Sequence, residues 1–134
     1  MSEQRLDFFG ELLMNRVRDE AIYDWERIIE GQTKAKESIE IHNSLSDKEK
    51  DLIRRLVPKV VDTTLHHLLW TLEQDESLEL LVNDGTKKEN IAEISDGLTG
   101  ELYTEDGWIY RFSNKAKWYS LIKLTGALLQ YQGL

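Results

Sequence analysis

Three polar side chains in the run DTTLHHLLWTLE have the types and spacing that acid–base or metal chemistry uses: Asp62, His66 and Glu73. A carboxylate four residues before a histidine on a helix can orient the imidazole, and a second carboxylate two turns further extends the row. With Asp62 at zero on a wheel turning ~100° per residue, His66 falls near ~40° and Glu73 near ~20°, so the three share one polar face. His67 falls near ~140°, at the edge of an apolar arc holding Ile53, Leu56, Val57, Val60, Val61, Thr64, Leu65, Leu68 and Leu72. The adjacent histidines therefore point apart and do not form a two-histidine site. His67 is expected as a ring at the edge of the core.

A hydrolase or metal-assisted enzyme built on Asp62, His66 and Glu73 is one reading of that face. Little else in the chain supports it. Zinc sites take three protein ligands or more, and the third histidine, His42, lies in a different segment. There is no H-E-x-x-H, no G-x-S-x-G and no P-loop signature. NDGTKKEN lacks the ligand order of a calcium loop. The absence of cysteine removes disulfides and thiol catalysis. No metal and no cofactor is expected.

Charge points elsewhere. The chain carries −8, and residues 73–106 hold eleven acids against two lysines, a local balance of −9, while the remainder is +1. Free nucleic acid is excluded as a partner of such a surface, because binding depends on neutralising phosphates with Lys and Arg. A basic protein would be attracted. Within GELYTEDGW the residues Glu101, Tyr103, Glu105, Asp106 and Trp108 combine carboxylates with aromatic contact area. The favoured reading is a small non-catalytic interaction module with an acidic surface segment. An immunity or inhibitor protein that blocks a basic partner is one instance.

The elements that must position these residues follow from periodicity. Leu6, Phe9, Leu13 and Val17, continued by Ala21, Trp25 and Ile28, predict a helix over about 3–30, unbroken or broken near Asn15–Asp19, with Gly31 as its stop. Ser46 and Glu49 form an S-x-x-E capping box before a second helix running to about Glu73, with Pro58 expected to kink or split it. Leu78–Val82 reads as a strand leading to a turn at Asp84-Gly85. GELYTEDGWIYRFS predicts a hairpin over about 101–112, with Asp106-Gly107 as a type I′ turn. A closing helix is expected from Ser113, with Trp118, Leu121, Ile122, Thr125, Leu128 and Leu129 on its apolar face. Helices, a small antiparallel sheet and a packing helix make a single α+β domain over 1–134, without the βαβ alternation of a nucleotide-binding sheet. The acidic N-terminus does not read as a signal peptide, and no run approaches the ~18 apolar residues of a membrane span, so a cytoplasmic location away from membranes is expected.

Overall fold

The structure is a computed structural model and describes residues 2–115. The fold is α+β, helices with one two-stranded antiparallel sheet. No helix among the described residues is long and apolar enough to cross a membrane.

Helix α1 (Ser2–Leu13), a π-helical turn (Met14–Arg18) and helix α2 (Asp19–Ile29) follow one another without a break. The apolar stripe read from the sequence holds only in the first half. Leu6 and Leu13 are buried, but Val17 and Trp25 are exposed. A π turn inserts one extra residue, which turns the inward face by ~100°. Met14, Arg18 and Ile22 consequently point into the molecule. Gly31 ends α2 as expected: the amides of Gly31 and Gln32 donate to the carbonyls of Ile28 (3.1 Å) and Arg27 (2.9 Å). Helix α3 (Lys36–Ser44) packs on α2, where His42 Nδ1 lies 2.7 Å from the Ile29 carbonyl oxygen.

Helix α4 spans Asp47–Gln74, 28 residues, and begins with the capping box. The Ser46 amide donates to Glu49 Oε1 (2.9 Å) and the Glu49 amide to Ser46 Oγ (3.2 Å). Pro58 does not split the helix; it is buried inside it. Its lost hydrogen bond, of order ~3 kcal/mol in a helix interior, is tolerated where α2 packs against α4. The burial phase also differs from the wheel. Pro58, Asp62, Leu65 and Leu69 are buried, whereas Leu56, Val60 and Leu68 are 45%, 62% and 47% exposed. His67 is exposed and His66 half-buried, the reverse of the sequence expectation. Hydrophobicity alone placed the inward face at the apolar arc; the fold turns Asp62 inward because a buried cation meets it.

Strands β1 (Leu81–Asn83) and β2 (Lys88–Asn90) pair antiparallel in the register Leu81↔Asn90, Val82↔Glu89 and Asn83↔Lys88. Asp84 shapes their turn. Its Oδ1 accepts from the Thr86 hydroxyl (2.7 Å) and from the amides of Thr86 and Lys87 (2.9 Å each). These bonds, the hydroxyl's foremost, hold its carboxyl far below the usual range.

The hairpin expected at 101–112 is absent. That stretch is a 3-10 turn (Thr99–Leu102), a tight bend and helix α6 (Trp108–Phe112), preceded by the short helix α5 (Ile91–Ile94). The alternating aromatics suggested one sheet face. Instead Trp108 is fully buried against α1, edge-on to Phe9 with ring centroids 5.7 Å apart, while Tyr110 is exposed. Gly10 makes room for it: a Cβ there would lie 2.4 Å from the indole. Gly107 is needed for closeness rather than for a left-handed turn. Its φ is −79°, but a Cβ would fall 2.0 Å from the Tyr103 carbonyl oxygen. The left-handed residue is Thr104, at φ 72°. Leu6, Leu13, Met14, Leu65, Leu69, Ile91, Leu98, Leu102, Trp108 and Ile109 belong to one core that ties α1, α4, α5 and α6 together. The closing helix read over Trp118–Leu129 lies outside the described residues.

Candidate functional site

Residues 95–107 fold into a shallow basin against the C-terminal end of α4. Three anchors fix it. Glu73, in the last turn of α4, accepts a short hydrogen bond from the Leu98 amide, and Leu98 itself is fully buried. Ser95 Oγ donates to Glu101 Oε1 (3.0 Å) and accepts from the Gly97 amide (3.1 Å). The Tyr103 hydroxyl lies 2.7 Å from His66 Nδ1 on α4. Between these anchors Thr104 turns the chain through a left-handed conformation, and the Gly107 amide closes the bend onto its carbonyl at 3.2 Å.

The basin measures about 350 Å³ and is lined by Asp96, Glu101, Tyr103, Thr104 and Asp106, with Gly97, Gly100 and Gly107 in its floor and walls. No ion pair among the described residues engages Asp96, Glu101 or Asp106. Three carboxylates around one concavity make a negative surface that suits an ammonium or guanidinium group, which they can receive through charge-assisted hydrogen bonds. Among the described residues no group of three or more His, Asp or Glu side chains could hold a metal ion.

The structure brings Glu101, Tyr103 and Asp106 together at this basin and leaves Glu105 exposed on the same bend. It does not bring Trp108 there. That indole is fully buried, so it cannot serve as a surface anchor. Tyr103 is only 4% exposed and contributes a wall, not a projecting ring.

Asp62, His66 and Glu73 share the inward side of α4, but their polar atoms turn to different partners. Asp62 holds Arg18, His66 meets Tyr103, and Glu73 receives the Leu98 amide. Burial, reinforced by the neighbouring His67, keeps the His66 pKa below the usual imidazole value. A neutral ring suits its contact with a phenol. In this arrangement His66 and Glu73 brace the basin loop against the helix, and Asp62 holds the π turn to it.

No protein-family model, curated protein or solved structure matches this chain. The side chains themselves therefore carry the functional argument.

Sequence reasoning missed a buried polar junction. Arg18 Nε donates to Asp62 Oδ1 (2.6 Å) and Nη2 to Asp62 Oδ2 (3.1 Å), a two-pronged pair with both side chains fully buried. Arg18 Nη1 donates to Ser113 Oγ (2.7 Å) and to the Lys115 carbonyl (2.5 Å). Ser113 Oγ in turn donates to Asp19 Oδ1 (2.5 Å), and Asp19 Oδ2 accepts from the Asn114 amide (2.8 Å). The junction ties the π turn, α4 and the chain after α6. Its one sequence signal was an arginine where the apolar stripe of α1 runs into α2, and a regular helical wheel places that arginine outside.

Proposed function

We propose that the protein is a non-catalytic interaction module that receives a basic protein on its acidic segment, residues 73–106. The observation that carries the reading is the basin in which Asp96, Glu101 and Asp106 share one concavity without an ion-paired base among the described residues. A lysine or arginine of the partner would enter it, and the other exposed acids of the segment, Glu76, Glu79, Glu93 and Glu105, would steer the approach. An inhibitor or immunity protein that covers a basic enzyme is one form such a module takes, and a cytoplasmic location belongs to the same reading. The enzyme reading draws less support, because Asp62, His66 and Glu73 each spend a polar atom on the fold.

Affinity capture from native lysate tests the proposal, using immobilised wild type beside the Asp96→Asn/Glu101→Gln/Asp106→Asn variant at low and high salt. The reading expects a basic protein retained by wild type at low salt, weakened as salt screens charge over a Debye length of ~8 Å at physiological strength, and lost on the neutralised variant. Equal retention by both proteins, or no retained protein, would overturn it.

A further inference from the structure

The outward side of α4 carries a pattern of its own. Ile53, Leu56, Val60, Thr63, His67 and Trp70 follow one another at steps of three and four residues. That alternation, with a mean period of ~3.5 residues, is the spacing of a coiled-coil seam. On a wheel of ~100° per residue the six fall within ~100° of one another. They lie ~160° from Pro58, Asp62, Leu65 and Leu69, the residues that α4 buries. Leu56, Val60, His67 and Trp70 are exposed, Ile53 and Thr63 half-buried, and the exposed Leu52 and Leu68 flank the row. A helix whose task is to close one core needs a single apolar face, and α4 has a second one turned to solvent.

Charge names what covers it. Residues 47–59 hold five bases and three acids, whereas residues 60–76 hold four acids and no lysine or arginine. One of the four, Asp62, is spent on Arg18. The others, Glu73, Asp75 and Glu76, sit together at the end of the helix. The helix is therefore a bar with a positive first half and a negative second half, in the same sense as its macrodipole. A second copy laid antiparallel complements it twice over, because it brings the same seam with the charge order reversed. Parallel pairing would set the five bases of one copy beside the five of the other.

We infer that two copies of this chain associate through the outward face of α4, antiparallel and about a two-fold axis near residues 61–62. In this register Val60 meets Thr63 of the second copy, Leu56 meets its His67 and Ile53 its Trp70, and every layer occurs twice. Lys50 of each copy approaches Asp75 of the other along one flank. None of these residues lines the acidic basin, so the inference stands or falls without it.

Sedimentation equilibrium of the full chain at low salt, across a concentration series, tests the association. The 15.7 kDa chain should reach twice its mass with a dissociation constant below ~0.1 mM. Leu56→Asp/Val60→Asp, at two exposed positions, should return it to a monomer that keeps the helical circular dichroism of wild type. Lys50→Glu should raise the dissociation constant by about three- to tenfold, and adding Asp75→Lys should restore it, a rescue that damage to the fold could not produce. Direction is read from one nitroxide per chain, which the absence of cysteine permits. At Gln74→Cys, antiparallel pairing sets each label beside residue 49 of the other copy, so the two labels lie ~40 Å apart, whereas parallel pairing brings them within ~20 Å. A chain still monomeric at ~0.1 mM would overturn the inference and leave the face to a different protein. An assembly larger than two copies, a dimer indifferent to Leu56→Asp/Val60→Asp, a charge reversal without rescue, or labels within ~20 Å would overturn it equally.

Discussion

Two groups of carboxylates in this protein meet opposite fates. Asp19 and Asp62 are buried, and each is engaged by named donors: Arg18 on Asp62, and Ser113 with the Asn114 amide on Asp19. Asp96, Glu101 and Asp106 stand around an open basin, where Ser95 on Glu101 is the one side-chain donor on their carboxylates among the described residues. Buried charge survives only with a partner of good geometry, so the first group is committed to structure. Exposed like charges remain solvated, and hydrogen-bonded turns hold them in place. They are available to a ligand. Residue type does not separate the two groups; an arginine does.

The sharpest way to break the contrast is to remove one side of the buried pair. Asp62→Ala leaves Arg18 buried without its carboxylate and should destabilise the protein by about 3–5 kcal/mol, read as a lowered urea midpoint. A loss under about 1 kcal/mol would mean that water reaches the junction and that the two regions are alike.

A change of opposite sign is expected at the basin. Thr104 is a β-branched residue at φ 72°, a conformation that costs of order 1–3 kcal/mol outside glycine. Thr104→Gly should raise stability by about 1 kcal/mol after the extra chain entropy of glycine is subtracted. Thermal unfolding checks it; a lowered midpoint would show that the threonine side chain contributes more than its backbone strain removes.

His66 joins the two regions and gives a pH test. Burial first, and His67 second, lower its folded pKa from 6.5. Between the lowered folded value and 6.5 the unfolded chain binds more protons, so stability rises with pH across that window. The contribution is complete above pH ~6.5 and is lost as pH falls through the folded pKa. His66→Gln should flatten the fall in melting temperature between about pH 7 and 5. An unchanged slope would assign the acid sensitivity to other groups.

The smallest effect should come from the basin rim. Asp106→Asn changes an exposed carboxylate and should move stability by no more than about ±0.5 kcal/mol in urea unfolding. A larger loss would make the rim structural, like Asp62, and would remove the contrast.

Features set by local chemistry are legible along the chain. Ser46 and Glu49 specify the start of α4 because both halves of a capping box lie within one turn. Gly31 specifies the end of α2, and the Asn83–Gly85 turn follows a recognisable apolar run. Charge bookkeeping by segment is likewise local, since it needs only the sequence: eleven acids against two lysines over residues 73–106. Tertiary structure decided the rest. Trp108 alternates correctly for a strand, yet it joins a helix because Gly10, nearly a hundred residues earlier, offers a backbone without a side chain. A π turn, which leaves no mark in a regular wheel, brings Arg18 inward, and Arg18 turns Asp62 inward with it. Periodicity reports which residues prefer burial. It cannot report which charged residues will find each other, because a pair 44 positions apart is a property of the fold and not of either helix.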